Sequence, residues 1–124
     1  MTTRAVTVPE CSATATSDAD LARAIAAIPG DAWVYSADEL VGNTWCCDLV
    51  AGHRQDHVVH VQTVEFASND PDEYWMQWTN GGKAQLVKKP VCEAAFNPHT
   101  HDETYCLLPE EHEGPHTDGG QHWV

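Results

Sequence analysis

Basic residues are scarce in this sequence: six Lys and Arg stand against nineteen Asp and Glu, a formal net charge of −13 over 124 residues. From Val91 onward there is no Lys or Arg at all, while Glu93, Asp102, Glu103, Glu110, Glu111, Glu113 and Asp118 accumulate. Such a surface repels phosphate backbones, so direct nucleic-acid binding is not expected. It attracts basic protein surfaces, and it also keeps a chain in solution without any partner. Long apolar runs are missing too. No stretch approaches the roughly 20 apolar residues that span a bilayer, and Met1 to Val6 begin no apolar leader segment, which predicts a cytoplasmic location. H-E-x-x-H occurs in letters alone, at His112-Glu113-Gly114-Pro115-His116, where Gly114-Pro115 sets a tight turn. The other common catalytic signatures are absent: no Gly-rich phosphate loop, no G-x-S-x-G, and no H-x-E with a downstream P-C-x-x-C. A non-enzymatic protein is the expectation.

What is present is a moderate apolar fraction, 42%, enough for one compact domain over residues 1–124. Five cysteines form an odd set that fits disulfides poorly in a reducing compartment, and eight histidines accompany them. Thiolate and imidazole together are the usual donors to zinc.

Periodicity supplies a coarse fold. Ser17-Asp18-Ala19-Asp20 reads as a helix start, and Leu21, Ala24, Ile25 and Ile28 recur at helical spacing before Pro29-Gly30. One N-terminal helix over about 18–28 is predicted. Short strands follow at 32–36 and 44–47, and a longer one at 57–66. Asn69-Asp70-Pro71-Asp72 reads as a turn. Asn80-Gly81-Gly82 reads as the turn of a hairpin between strands at 74–79 and 83–88. Residues 90–124 hold too few aliphatics for a core of their own. The class is therefore α+β, small and mostly antiparallel β, with one N-terminal helix and two zinc-stabilised hairpin or knuckle units at about 44–79 and 90–124.

The zinc expectation rests on spacing. Cys47…His53…His57 and Cys106…His112…His116 both have the form C-x5-H-x3-H. Random placement of these residues would produce about 0.02 such matches, so the two are read as an internal repeat. Two imidazoles four positions apart converge on one ion, and the upstream thiolate adds a third donor. For the second unit Cys92 is the natural fourth ligand. For the first, the candidates are Cys11 and Cys46. Neighbouring strand residues point to opposite faces, so Cys11 is preferred, with Cys46 left as a thiol packed in the core. His99 and His101 read as a solvated loop, while His60 and His122 have no evident partner. The five tryptophans read mainly as core. Trp75 and Trp78 fall on opposite faces of one strand, so one of them is expected to be exposed or to cover a zinc unit.

The run from Cys92 through Tyr105-Cys106-Leu107-Leu108-Pro109, His112-Glu113-Gly114-Pro115-His116 and Gly119-Gly120-Gln121-His122-Trp123 resembles a segment of small uncharacterised Cys/His zinc-binding proteins of actinobacteria and their phages. The resemblance covers residues 92–123, about a quarter of the chain, and implies metal binding while saying almost nothing about activity. The first unit departs from it, lacking Gly-Pro between its histidines and a close upstream cysteine.

The function expected is a non-enzymatic, acidic interaction protein stabilised by one or two zinc ions. It would be a phage or accessory protein that binds a basic host or virion protein, in the host cytoplasm or on the particle. Two alternatives are a DNA-mimicking inhibitor of a nucleic-acid-handling protein and a small zinc hydrolase. The second would need an open coordination position beside an acid such as Glu110, Glu111 or Glu113.

Overall fold

The computed structural model describes residues 5–29, 36–66 and 69–124; of 65, 66, 69 and 70 it describes the backbone alone. The elements are β1 (Ala5–Val6), β2 (Thr14–Thr16), α1 (Ala19–Ala26), α2 (Ala37–Leu40), β3 (Thr44–Cys46), β4 (His57–Phe66), β5 (Asn69–Trp78), β6 (Gln85–Lys88), β7 (Ala95–Phe96), β8 (Thr104–Tyr105), β9 (His116–Thr117) and β10 (His122–Trp123). Among the described residues all paired strands are antiparallel, in two three-stranded sheets, β4-β5-β6 and β1-β10-β9, and two small pairs, β2-β3 and β7-β8. This is a small α+β fold dominated by antiparallel strands. No helix among the described residues is long and apolar enough to cross a membrane.

Helix α1 begins where the Asp18 carboxylate accepts the Leu21 N–H at 2.8 Å, and it ends at Ala26, three residues before Pro29. Its buried face is Leu21, Ala22 and Ile25, continued by Ile28, whereas Ala24 is exposed. The apolar stripe is thus rotated slightly from the one expected, with Ala22 on the buried face in place of Ala24. A second helix, α2, was not foreseen. Ser36 and Glu39 form a reciprocal capping box at its start, a signature of short helices. Ser17 joins the two helices: buried itself, it donates its hydroxyl to the Leu40 carbonyl and accepts from Trp45 Nε1 at 3.3 Å. The strand expected at 32–36 lies outside the described residues except for Ser36, which caps α2, and Trp33 lies outside them too.

The long hairpin β4-β5 departs from expectation at its tip. Asn69-Asp70-Pro71-Asp72 belongs to β5 and forms no turn, and Phe66 pairs with Asn69. The register shifts between Val64 and Phe66, where the partner strand carries Pro71. Proline has no N–H to give a regular ladder, and a bulge accommodates it. A second shift, between His60 and Gln62, leaves Val61 without a ladder partner and in the core. The Asn80-Gly81-Gly82 turn forms as expected, with Gly81 at φ 72° and the Gly82 N–H donating to the Thr79 carbonyl at 2.9 Å.

One core runs through both halves of the chain, from Leu21, Ile25 and Leu40 through Leu49, Val58, Trp75, Met76 and Trp78 to Phe96, Leu108 and Trp123. Trp75 and Trp78 are both buried although they occupy opposite faces of β5. Each large side chain buried in this way stabilises by about 1.5–3 kcal/mol.

Candidate metal centres

Two groups of four side chains converge: Cys11, Cys47, His53 and His57 in one, Cys92, Cys106, His112 and His116 in the other. Within each group the donor atoms all lie within 4.8 Å of one another, the separation of ligands to a single metal ion. In the first, Cys11 Sγ is 3.4 Å from His57 Nδ1, Cys47 Sγ is 3.7 Å from His53 Nε2, and the two nitrogens are 3.1 Å apart. In the second, Cys92 Sγ is 3.5 Å from His116 Nδ1, Cys106 Sγ is 3.5 Å from His112 Nε2, and the nitrogens are 3.2 Å apart. Both sites present Nε2 of the first histidine and Nδ1 of the second. Either could hold a metal ion.

The backbone around the donors is repeated bond for bond. Cys47 N–H donates to the Ala13 carbonyl at 3.0 Å, as Cys106 N–H does to Ala94 at 2.8 Å. Cys11 N–H donates to Leu49 at 2.9 Å, as Cys92 N–H does to Leu108 at 2.7 Å. Asp48 to Val58 matches Leu107 to Thr117, and Ala51 to Pro9 matches Glu110 to Pro90. Where Gly52 has φ 88°, the corresponding Glu111 has φ 66°. Tryptophan covers both sites: Trp78 stands opposite His57 in its hairpin with ring centroids 5.5 Å apart, and Trp123 stands opposite His116 at 5.7 Å. The first unit differs by insertion. Between β2 and β3 it carries both helices, where the second has only the loop 97–103 between β7 and β8.

The histidine rings are oriented by their second nitrogens. His53 Nδ1–H donates to the Gln55 carbonyl at 2.9 Å and His112 Nδ1–H to the Glu113 carbonyl at 3.2 Å, while His57 Nε2–H donates to Asn80 Oδ1 at 2.5 Å. Such bonds select the tautomer that turns the free nitrogen inward. Burial pushes the Cys47 and Cys106 thiols up to about 11 and lowers His112, so an entering cation must displace a thiol proton but meets a neutral imidazole at His112.

Every residue expected in a site is in one of the two clusters, and the open choice for the first falls on Cys11. Cys46 is exposed rather than packed in the core. It ends β3, just before the buried Cys47, and alternation along the strand turns its side chain outward. A signal for Cys11 was available and unused: Pro9-Glu10-Cys11-Ser12-Ala13 and Pro90-Val91-Cys92-Glu93-Ala94 share the form P-x-C-x-A. His99 and His101 are exposed. His60 has the partner the sequence did not reveal: its Nε2 lies 2.7 Å from Glu73 Oε2, and Thr63 donates to the same carboxylate at 2.8 Å. These three groups line a cleft of about 780 Å³ between the units, faced by Tyr105, Leu107 and Thr117 of the second.

In comparison with known proteins, no family model, no curated protein and no solved structure matches the chain.

Proposed function

We propose that each cluster holds one zinc ion as a closed structural site, and that the protein is a non-enzymatic, acidic interaction protein whose partner offers a basic surface. The observation that carries the zinc reading is the matched pair of two-thiolate, two-imidazole donor sets. A tetrahedral zinc with bonds of about 2.0–2.1 Å to nitrogen and 2.3 Å to sulfur sets nitrogens about 3.3 Å apart and nitrogen from sulfur about 3.5 Å apart. The separations of 3.1–3.2 Å and 3.4–3.7 Å fit that figure. Four protein donors fill a tetrahedron and leave no position for water or substrate, which favours a structural over a hydrolytic ion. The formal charge of −13 supports a basic partner, because two neutral imidazoles and two thiolates around a dication leave it nearly unchanged. The resemblance of residues 92–123 to actinobacterial and phage segments makes a host or virion protein the proposed partner.

Metal analysis of the purified chain tests the first part: two zinc ions per chain are expected, with Cys47→Ser and Cys106→Ser each retaining one. A water proton relaxation signal from a cobalt-loaded chain, showing an exchanging water on the ion, would defeat the closed-site reading. For the partner, the immobilised chain is expected to retain basic proteins from lysate and release them as salt rises. Retention that is insensitive to salt counts against it.

A further inference from the structure

We propose that the two metal sites load as one cooperative unit, coupled through Gln55 and Glu113, so that the chain responds to zinc over a narrower concentration range than two separate fingers would. This rests on the reading of both clusters as zinc sites.

The coupling is visible first in how the strands are shared. β1 runs into Pro9-Glu10-Cys11 of the first site, yet it pairs with β10 of the second unit's hairpin, Ala5 opposite Trp123. β6 runs into Pro90-Val91-Cys92 of the second site, yet it pairs with β5 of the first unit's hairpin, Trp75 opposite Val87. The Lys89 N–H adds a bond to the Glu73 carbonyl at 3.1 Å. The exchange is reciprocal. Each site's leading cysteine follows a strand whose ladder belongs to the other unit.

A second link joins the two H-x3-H loops directly. The Gln55 carbonyl accepts from His53 Nδ1, while the Gln55 side chain accepts the Glu113 N–H. The Glu113 carbonyl in turn accepts from His112 Nδ1. Two residues therefore connect a donor of one site to a donor of the other. The Glu113 carboxylate returns the contact, accepting the Arg54 N–H at 3.3 Å. The loops are also tightly packed, since a Cβ on Gly114 would come within 2.9 Å of Val50 Cγ2. An ion that orders one loop thereby orders a wall of the other site, and the second ion has less left to immobilise.

Zinc titration of the reduced, metal-stripped full chain, followed by native mass spectrometry, reads the coupling as the share of singly loaded chains at half saturation. Independent sites of equal affinity give about half, and unequal independent sites give more. A share well below half is expected. A share of half or more overturns the proposal. In the Gln55→Ala, Glu113→Ala double variant, which keeps all eight ligands, the share is expected to rise to half or above with two ions still bound; loading as steep as in the parent chain overturns the assigned route. Should that variant fold poorly, Cys106→Ser gives a separate measure. Chelator competition is expected to show its remaining first site weaker by about 5- to 150-fold, and unchanged affinity there counts against coupling. A parent chain that takes up fewer than two zinc ions defeats the zinc reading itself, and the coupling with it.

Discussion

Cys46 and Cys47 are adjacent on the chain and opposite in environment: one is exposed, the other buried against two histidines and a second thiol. Replacing Cys46 by Ser should therefore leave the metal content at two and the stability within about 0.5 kcal/mol of the parent, as for most surface changes. Cys11→Ser, distant in sequence, should lose one ion. Elemental analysis of the two variants side by side reads both outcomes, and loss of an ion from the Cys46 variant would reverse the assignment. The buried thiols also set a pH dependence. Burial pushes Cys47 and Cys106 up to about 11, so both are protonated at neutral pH and an entering metal ion must expel the proton. Affinity at each site should then rise at least about tenfold per pH unit between pH 6 and 8, and fall as acid is added. The sign reverses for the stripped chain, whose buried thiols are neutral: that contribution is present below pH 9 and lost as pH rises toward 11. Competition against a chelator at three pH values measures the first slope. A flat profile would mean the thiols are not the ligands.

At the scale of elements, the two knuckles are built on one plan and differ in ways that can be exchanged. Gly52 occupies a left-handed conformation that Glu111 must also adopt. A left-handed backbone costs an L-residue about 1–2 kcal/mol, and glycine avoids most of it. Gly52→Ala should destabilise the loaded chain by about 1 kcal/mol, while Glu111→Gly should leave it unchanged or gain up to about 1 kcal/mol. Denaturant midpoints at saturating zinc compare them directly. Equal losses in both would show that this turn is not where the strain resides. The hairpins share a tryptophan over the second histidine but differ greatly in length. Ten-residue strands carry the first, and two-residue strands carry the second.

For the whole molecule, that disparity predicts where dependence on a bound metal would fall. The second unit contributes Phe96, Cys106, Leu108 and Trp123 to the common core and otherwise has little to bury. Structural zinc contributes on the order of 10 kcal/mol, as much as a domain of this size holds in total. Chelation at neutral pH should abolish amide protection across 90–124 first, and most of it across β4 and β5 as well, because β1 and β6 tie the sheets together. Hydrogen exchange with and without chelator tests this. Protection that persists in the second unit after the metal is removed would show that packing alone suffices.

Much of this was legible in the residues themselves. The doubled C-x5-H-x3-H spacing marks six of the eight donors, because ligands of one ion must lie close along a turn. The helix start at Asp18 and the Asn80-Gly81-Gly82 reversal are likewise local, set by one cap and by glycine's tolerance of positive φ. Local signals failed where a neighbour prevailed. The Asn69 to Asp72 run looks like a turn by composition, yet the ladder with β4 extends through it and absorbs Pro71 at a register shift. The partner of His60 is thirteen positions away across a hairpin, a distance that no periodicity encodes. By itself, then, the sequence determined the donor types, their pairing in two sets and the acidity of the surface, all consequences of residue identity at short range. The tertiary structure brings Cys11, which the sequence only preferred, into the first cluster and leaves Cys46 exposed, and it alone decided that each unit lends a strand to the other. Those outcomes depend on which backbone amides find partners across the fold, and that is settled only when all the strands are in place.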